Sequence, residues 1–410
     1  MAHRNKTRIR CAVSTLTVLV AMNVSAWNYS VAPVARSSMR VDDNIRGAAV
    51  DKEAAWGFDN TGSVNVQATN ETVTSTLIPR VNIRRFIIGE DLDADEYGVT
   101  FNNLWNQERF RYGLDFNYSR DSTLSTEATD SGRRNTVVNR DAITIRPSVS
   151  YFVTDKLMVQ TGYLFNSVAY LTTDTAEFID YEYQVANVDL TYQWREYLEF
   201  FTSTSFSYFD SGSGLSISRN YSGRAGATYR WDETLTLTAA IGWVASNVKF
   251  HESFVGPPPT FAIIEAPAHG ASSGPLASAS IQKKFDQAVA TLDFVRQVSP
   301  SGRGAQSNTD RISGSYLYRF TDRFNTQANF VYDMQSADGA TFDGLSTAGS
   351  LDRDFVEFVG IVRYKLSPIW QLSSAYHHPI RKSTNNAFSS TAQGNTVYFT
   401  LEYAGERLNF

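Results

Sequence analysis

Histidine and serine are the residues that come closest to an enzymatic set in this chain. His377 and His378 are adjacent, and His251 and His269 lie in a proline-rich stretch. A serine hydrolase needs a hydroxyl nucleophile, an imidazole base and an acid or amide that orients the base. Ser373 and Ser374 are candidates for the nucleophile only because serine is abundant in this chain. The sequence contains no nucleophile elbow, phosphate-binding loop or zinc motif, so we expect no enzymatic activity and no cofactor.

Carboxylates alternate over residues 90–96, which read Glu-Asp-Leu-Asp-Ala-Asp-Glu. Alternating carboxylates can collect Ca²⁺, but the complete calcium-loop pattern also requires a central glycine and a distal glutamate, which this run lacks. Asp91, Asp93 and Asp95 are therefore weak candidates for metal ligands. We expect a solvated loop and no metal site, with divalent bridging to lipopolysaccharide as the alternative.

The feature that dominates the chain is strict alternation of apolar and polar residues. In the segment 110–118 every large apolar residue has one parity, and the segments 143–151, 187–194, 235–243 and 397–403 repeat the pattern. Successive side chains of a strand point to opposite faces, so each segment predicts a strand with one apolar and one polar face.

The length and spacing of these segments distinguish a membrane barrel from a soluble sandwich. The segments run to about ten residues or more, which is enough for a tilted strand to cross hydrocarbon, whereas soluble strands average about five or six. Short and long connectors also alternate, as they do in outer-membrane barrels. We therefore predict an all-β fold, a transmembrane antiparallel up-and-down β-barrel of about 18 strands, with 16 as the alternative.

Residues 1–26 have the pattern of a secretory signal peptide. A basic start precedes a short apolar core at Cys11–Met22, and Val24-Ser25-Ala26 supplies a cleavage site. We expect residues 27–410 to form the barrel, in the bacterial outer membrane after export. This part contains no cysteine, which excludes disulfides and thiolate metal sites. The chain has 37 Lys and Arg against 42 Asp and Glu, which argues against a nucleic-acid partner.

The polar faces of the predicted strands carry more cations than anions. Extending the alternation along each strand predicts which charged residues line the lumen. They are Arg80, Arg84, Arg111, Asp115, Arg146, Asp189, Glu199, Arg224, Arg230, Lys284, Asp293, Arg311, Arg319, Glu357, Arg363, Lys365 and Glu402. A basic channel favours anionic solutes or uronate-bearing polysaccharide. The alternative is that these cations pair with the acids across neighbouring strands and brace the wall.

The connector predicted over residues 251–275 has an unusual composition. Five prolines surround an apolar stretch that contains Phe261, Ile263 and Ile264. A polar external loop would not normally carry such a stretch. We expect it either to fold into the barrel as a constriction or to contact a partner.

The carboxyl end is aromatic, as in many outer-membrane barrels. The alternation that ends at Tyr403 is interrupted over residues 404–407 before Leu408 and Phe410. Either a bulge shifts the register there or the tail leaves the last strand. The expected partners are outer-membrane lipid and lipopolysaccharide, and the barrel-assembly machinery through Phe410.

At Val41-Asp42-Asp43-Asn44-Ile45, just after the first predicted strand, the sequence resembles the putative β-barrel porin 2 family. Members carry an Asp-x-Asn-Ile-type segment near the mature amino terminus, followed by a full-length alternating barrel. The resemblance implies an outer-membrane barrel of a kind often associated with exopolysaccharide export, with polysaccharide-export components as partners. It implies no catalytic residues.

These observations predict a porin-like outer-membrane channel for exopolysaccharide export or for passage of anionic solutes. One alternative is a structural or adhesive barrel with a closed lumen and functional surface loops. A remote alternative is an outer-membrane lipid hydrolase that uses His377 and His378.

Overall fold

The chain forms a closed antiparallel up-and-down β-barrel of 18 strands, as the alternation predicted. The computed structural model describes nine stretches of the chain: 27–88, 92–123, 138–171, 179–212, 216–255, 263–300, 306–337, 351–384 and 389–410. The signal-peptide prediction at residues 1–26 lies outside these residues. No helix within the described stretches is long and apolar enough to cross a membrane.

The strands are long, between 13 and 22 residues for the first seventeen. Each of the alternating segments 110–118, 143–151, 187–194, 235–243 and 397–403 falls inside a single strand. Their bounds are β1 Asn28–Asp42, β2 Ala55–Thr69, β3 Val73–Ile88, β4 Ala94–Asn106, β5 Phe110–Ser122, β6 Asn139–Thr154, β7 Leu157–Tyr170, β8 Tyr181–Arg195, β9 Leu198–Ser211, β10 Ser216–Arg230, β11 Leu235–Val255, β12 Ile263–Lys284, β13 Ala288–Pro300, β14 Gln306–Arg319, β15 Phe324–Ala337, β16 Leu351–Lys365, β17 Trp370–Thr384, β18 Ser389–Gln393, β19 Thr396–Ala404 and β20 Leu408–Asn409.

The eighteenth barrel strand consists of the three segments β18, β19 and β20. β18 and β19 both pair with β17, and β19 then pairs with β1, which closes the sheet on itself. β20 pairs with the beginning of β1, where Val31 lies opposite Leu408. Between Val34–Ala404 and Val31–Leu408 the register shifts by one residue. A bulge therefore separates the last two segments, and the tail does not leave the strand.

The two faces of the sheet differ in chemistry. One face carries the large apolar side chains, and these remain exposed, as in Ile241 at 76% and Trp243 at 55%. At the short-turn end, aromatic residues pair on this face, with ring centroids 4.7 Å apart for Phe110–Tyr151 and 5.0 Å for Trp370–Tyr403. Burial of apolar surface is favourable, so a ring of such residues on the outside of a closed barrel requires an apolar surrounding.

Several short turns are held by one recurring device, a side-chain oxygen at the first turn position that accepts two backbone N–H groups. Asn70 Oδ1 accepts from Thr72 and Val73 at 2.9 and 2.6 Å, and Asp232 Oδ1 accepts from Thr234 and Leu235 at 2.7 Å each. Thr154, Thr321 and Ser367 use their hydroxyls in the same way. At Asp232 the hydrogen bonds from Thr234 and Leu235 lower the pKa of the carboxyl group.

The bounds expected for the long connector 251–275 are wrong. β11 continues to Val255 and β12 begins at Ile263, and these two residues lie opposite each other in an unbroken ladder. The stretch 266–275 is rich in alanine, glycine, serine and proline, so it lacks the bulky alternating residues that mark a strand in the sequence. Its backbone nevertheless pairs with β11, because pairing needs no particular side chain.

The motif at residues 41–45 joins the first strand to the last. Asp43 Oδ1 and Oδ2 accept hydrogen bonds from the backbone and side-chain nitrogens of Asn395, both at 2.6 Å. Asp42 Oδ2 accepts from the Thr396 hydroxyl at 2.8 Å and from Arg40 at 2.7 Å. We call Asp42, Asp43 and Asn44, together with residues 393–396, the seam latch.

Asn44 lies at the centre of the seam latch and is 1% exposed. Its amide nitrogen donates to the carbonyl oxygens of Ala48 and Gln393 at 2.8 and 2.9 Å, and its amide oxygen accepts from Ala48 N at 2.9 Å. All of its side-chain groups thus bond to backbone on both sides of the closure. Gly394 packs against it, and a Cβ at that position would lie 3.1 Å from Asn44 Cβ.

Replacement of Asn44 by alanine should lower the free energy of unfolding by about 2–4 kcal/mol, because buried backbone groups on both sides lose their partners. Urea unfolding of the refolded barrel in detergent micelles measures this change. Lys52→Ala, an exposed position in the same connection, is the control and should shift the value by less than about 0.5 kcal/mol. Equal stability of the two variants would contradict a role for the latch.

Candidate functional site

The polar face of the sheet is the candidate site. Cross-strand register places Asp115 opposite Arg146, Arg311 opposite Asp333, and Arg363 opposite both Asn325 and Ser373. By the same ladders, the ionic residues expected in the lumen share this face: Arg80, Arg84, Arg111, Asp115, Arg146, Asp189, Glu199, Arg224, Arg230, Lys284, Asp293, Arg311, Arg319, Glu357, Arg363, Lys365 and Glu402. Exposed apolar side chains occupy the opposite face.

Near the long connections, the arginines of the polar face are buried in ion pairs. Arg84 contacts Asp59 at 2.6 Å and Glu96 at 3.4 Å, and Arg140 contacts Asp121 at 2.7 Å. These pairs, together with Arg40–Asp42 and Arg311–Asp333, are the loop-end ion pairs. Most of their side chains are shielded from solvent, so their charges neutralise each other locally and add little to the field in the lumen.

Neutral side chains extend this buried network. Asn82 donates to Glu96 at 2.9 Å and accepts from the Thr61 hydroxyl at 2.8 Å. Glu96 also accepts the backbone N–H of Ser122 at 3.3 Å. The network therefore ties β2, β3, β4 and β5 together at one end of the barrel. The acids in this network, Asp59 and Glu96, are not the ones that the bracing alternative paired with the arginines.

Cations in the middle of the barrel and at the short-turn end behave differently. They are exposed, and within the described stretches they form no ion pair with an acid: Arg36, Arg80, Arg111, Arg146, Arg224, Lys284, Arg319 and Lys365. We call these residues the open cations. Arg80 and Arg84 lie four positions apart on β3, yet Arg80 is exposed and Arg84 is buried.

Several acids of the polar face have partners other than the open cations. Asp293 accepts from the Ser280 hydroxyl at 2.6 Å, and Asp189 is bonded by Asn187. Asp115 is exposed and lies opposite Arg146, but the two form no ion pair among the described side chains. The positive charge of the open cations is thus left facing solvent.

Sequence reasoning missed several ionic residues of the polar face. They are Arg36, Arg40, Asp42, Asp59, Glu96, Asp121, Arg140, Asp333, Arg353 and Arg381. Four of them lie on β1 and β2, where the sequence alternates weakly, and Glu96 falls in the acidic run that was expected to be a loop. The signal that was available is the spacing of charged residues by two or four positions within one strand, as in Arg40 with Asp42 and Arg80 with Arg84.

The two adjacent histidines lie on opposite faces. His377 Nδ1 is 3.3 Å from Glu357 Oε1, and its ring lies 5.2 Å from that of Tyr398. His378 Nδ1 is 2.9 Å from Asn395 Oδ1. No serine or threonine hydroxyl bonds either imidazole within the described stretches, and the side chains of His251 and His269 lie outside the described set. Nothing here assembles a nucleophile with its base.

The acidic run contacts an arginine. Asp93 Oδ1 accepts the Phe86 N–H at 2.7 Å, and Asp95 contacts Arg85 at 2.7 Å. Asp91 lies outside the described residues. Groups of three or more potential metal ligands are absent from the part of the chain that was described.

The constriction residues are only partly described. Ile263 and Ile264 belong to the backbone of β12 and not to a loop. Phe261 lies outside the described residues, so its place in a constriction stays a prediction.

No protein-family model matches the chain, and no curated protein matches it. The resemblance to the putative β-barrel porin 2 family therefore stays a prediction. Among solved structures, the barrel is similar to OccAB4 of Acinetobacter baumannii, with 11% identity, a TM-score of 0.45, and coverage of 94% of this chain and 99% of that one.

Two structures from Pseudomonas aeruginosa are also similar. OpdQ has 11% identity, a TM-score of 0.47, and coverage of 93% and 98% of the two chains. OccK2 (OpdF), solved in complex with glucuronate, has 9% identity, a TM-score of 0.46, and coverage of 92% and 98%. At these values no residue role or solute is transferred to this chain.

The contrast between Arg84 and Arg80 yields a paired prediction. Arg84→Gln should lower the free energy of unfolding by about 3–5 kcal/mol, because Asp59 and Glu96 then remain buried without their cation. Arg80→Gln should change it by less than about 0.5 kcal/mol, since Arg80 is exposed. Urea titration of both variants in the same micelles measures the difference, and equal losses would show that the two arginines share one role.

Proposed function

We propose that the chain is an outer-membrane channel that favours small anionic solutes. The observation that carries this proposal is the set of open cations on the polar face, which have no acid partner among the described residues. Charges of one sign in a low-dielectric channel raise the local concentration of counter-ions, so the lumen should attract anions.

The apolar face supports the membrane location. A strand needs about 9–11 residues to cross hydrocarbon at a tilt, and the shortest of the first seventeen strands has 13. Exposed Ile241, Trp243 and Phe358 suit a lipid surrounding, and the aromatic pairs at the short turns suit the interface. We propose export by residues 1–26 and short turns on the periplasmic side.

The proposed partners follow from the same faces. Phe410 is 76% exposed and lies beside Tyr29, where assembly machinery is able to contact it. Arg85 and Arg120 lie toward the long connections on the apolar face, where lipopolysaccharide would meet them. Both are bound to aspartates, so bridging cations or direct phosphate contacts would compete with those pairs.

We propose more specifically that the channel passes an acidic polysaccharide. We also propose that the chain belongs to the putative β-barrel porin 2 family. A basic wall would attract uronate groups on a polymer as it attracts them on a monomer. The two cargoes differ in size, so exclusion measurements with uncharged polymers separate them.

A closed structural barrel is the second candidate, and the loop-end ion pairs favour it. Ile45 and Leu92 lie in the connections after β1 and β3 and are fully buried with Phe86 and Ala55. Connections that pack over the polar face in this way narrow the loop end. Absence of any ion conductance by the folded barrel would support this candidate and contradict the channel.

In a planar bilayer with a KCl gradient, the reversal potential should show that chloride permeates faster than potassium. Replacement of Arg80, Arg146 and Arg224 by glutamine should move that potential toward the value of a non-selective channel, because three of the open cations are lost. A wild-type channel that prefers potassium would contradict the proposal.

The matched control changes the same charge on the other face. Arg219, Lys249 and Lys382 lie on the apolar face of β10, β11 and β17. Replacement of these three by glutamine should leave the reversal potential nearly unchanged at 0.15 M salt, where screening acts over about 8 Å. An equal effect of both triple variants would assign selectivity to overall charge and not to the lumen.

A further inference from the structure

One part of the polar face combines three cations with a row of carboxamides. Arg319, Arg363 and Lys365 all lie at the short-turn ends of β14 and β16. Asn325 and Gln327 lie on β15 between them, and Gln371 lies opposite Lys365. We call these six residues the basic corner.

Register brings the two arginines close together. Arg319 lies opposite Asn325, and Asn325 lies opposite Arg363 on its other side. Two interstrand spacings, about 10 Å in all, therefore separate the two backbones. Both side chains share the polar face, and an arginine side chain is long enough for the two guanidinium groups to approach one ligand.

The amides orient one of the guanidinium groups. Arg363 Nη1 donates to Gln327 Oε1 at 3.0 Å and to Asn325 Oδ1 at 3.4 Å. These bonds use one nitrogen and leave the rest of the planar fork free. A guanidinium fork matches a carboxylate with two parallel hydrogen bonds. Arg319 and Lys365 are exposed and have no acid partner among the described residues.

No acid forms an ion pair with the cations of this corner among the described residues. Glu402 lies opposite Gln371 and Arg36, two interstrand spacings from Lys365. Glu357 is on the same strand as Arg363 but is six residues away, next to His377. Like charges that share a small volume repel, so an anion that enters between them removes an unfavourable interaction.

We propose that the basic corner is a binding site for a small organic carboxylate that also carries hydroxyl groups. The guanidinium forks of Arg319 and Arg363 bind the carboxylate, and Lys365 adds a third positive charge. Gln327 and Gln371 bond the hydroxyls, for which carboxamides supply both donors and acceptors. This inference rests on the proposed anion-favouring channel and gives it a site at the short-turn end.

Glucuronate is a suitable probe, with glucose as its uncharged counterpart and inorganic phosphate as a second anion. Isothermal titration of the folded barrel in detergent should show binding of glucuronate and none of glucose. The double variant Arg319→Gln, Arg363→Gln should weaken glucuronate binding by about tenfold or more, since hydrogen bonds to charged groups are lost. Heat-modifiable migration on gels verifies that each variant is folded.

The matched control is Arg146→Gln with Arg224→Gln, which removes two open cations that have no carboxamides beside them in the same arrangement. It should reduce anion preference in bilayers but keep glucuronate affinity within about twofold. Arg363→Lys retains the charge and loses the fork, so it should weaken glucuronate binding while the reversal potential stays unchanged.

Each outcome has one meaning. Wild-type anion preference without glucuronate binding would overturn the site and leave the channel intact. Glucuronate binding by a barrel that does not conduct would support the site and overturn the channel. Equal loss of binding in the two double variants, or phosphate bound as tightly as glucuronate, would overturn the site. Either result would show that the corner attracts anions only through its overall positive charge.

Discussion

Closure between the first and last strands is the interaction on which the rest of the structure depends. Each of the other strand pairings joins neighbours along the chain, but β1 must find β19 and β20 across nearly the whole sequence. The hydrogen bonds of the seam latch span 349–354 residues. An open sheet of this size would expose two edges, which closure removes. The inside and the outside exist only once this seam has formed.

Arginines on the polar face occur in two different environments. At the loop end, burial makes an unpaired arginine costly, so Arg84 and Arg140 have acids within contact. Toward the short turns, water solvates the side chains and cations such as Arg80 need no partner. Bracing at the loop end is therefore compatible with the proposed selectivity toward the short turns, because different arginines are involved.

Alternation allowed the fold class, the strand count and the positions of the clearest strands to be predicted, because side-chain direction in a strand depends only on parity. Where the side chains are small, as in 266–275, parity carries no hydrophobic signal, and the ladder with β11 was missed. The pairing of Arg84 with Asp59 depends on register between strands, which sequence spacing within one strand does not contain. The short motif at 41–45 was noticed for its resemblance, but its contacts with residues 393–396 required the closed barrel.

The bulge near the carboxyl end is held by contacts with the first strand. Gly405 N donates to Pro33 O at 2.8 Å, and a Cβ on this glycine would lie 2.7 Å from Pro33 Cγ, so the crossing needs glycine. The extra residue inverts the phase of the alternation, and for that reason Leu408, an even position, lies on the same face as the odd Tyr403. Deletion of a single residue within 404–407 would remove the bulge and leave Leu408 opposite Val31 on the apolar face, whereas deletion of two residues would turn Leu408 and Phe410 toward the lumen. Length variation in this segment is therefore constrained by parity more than by the number of residues.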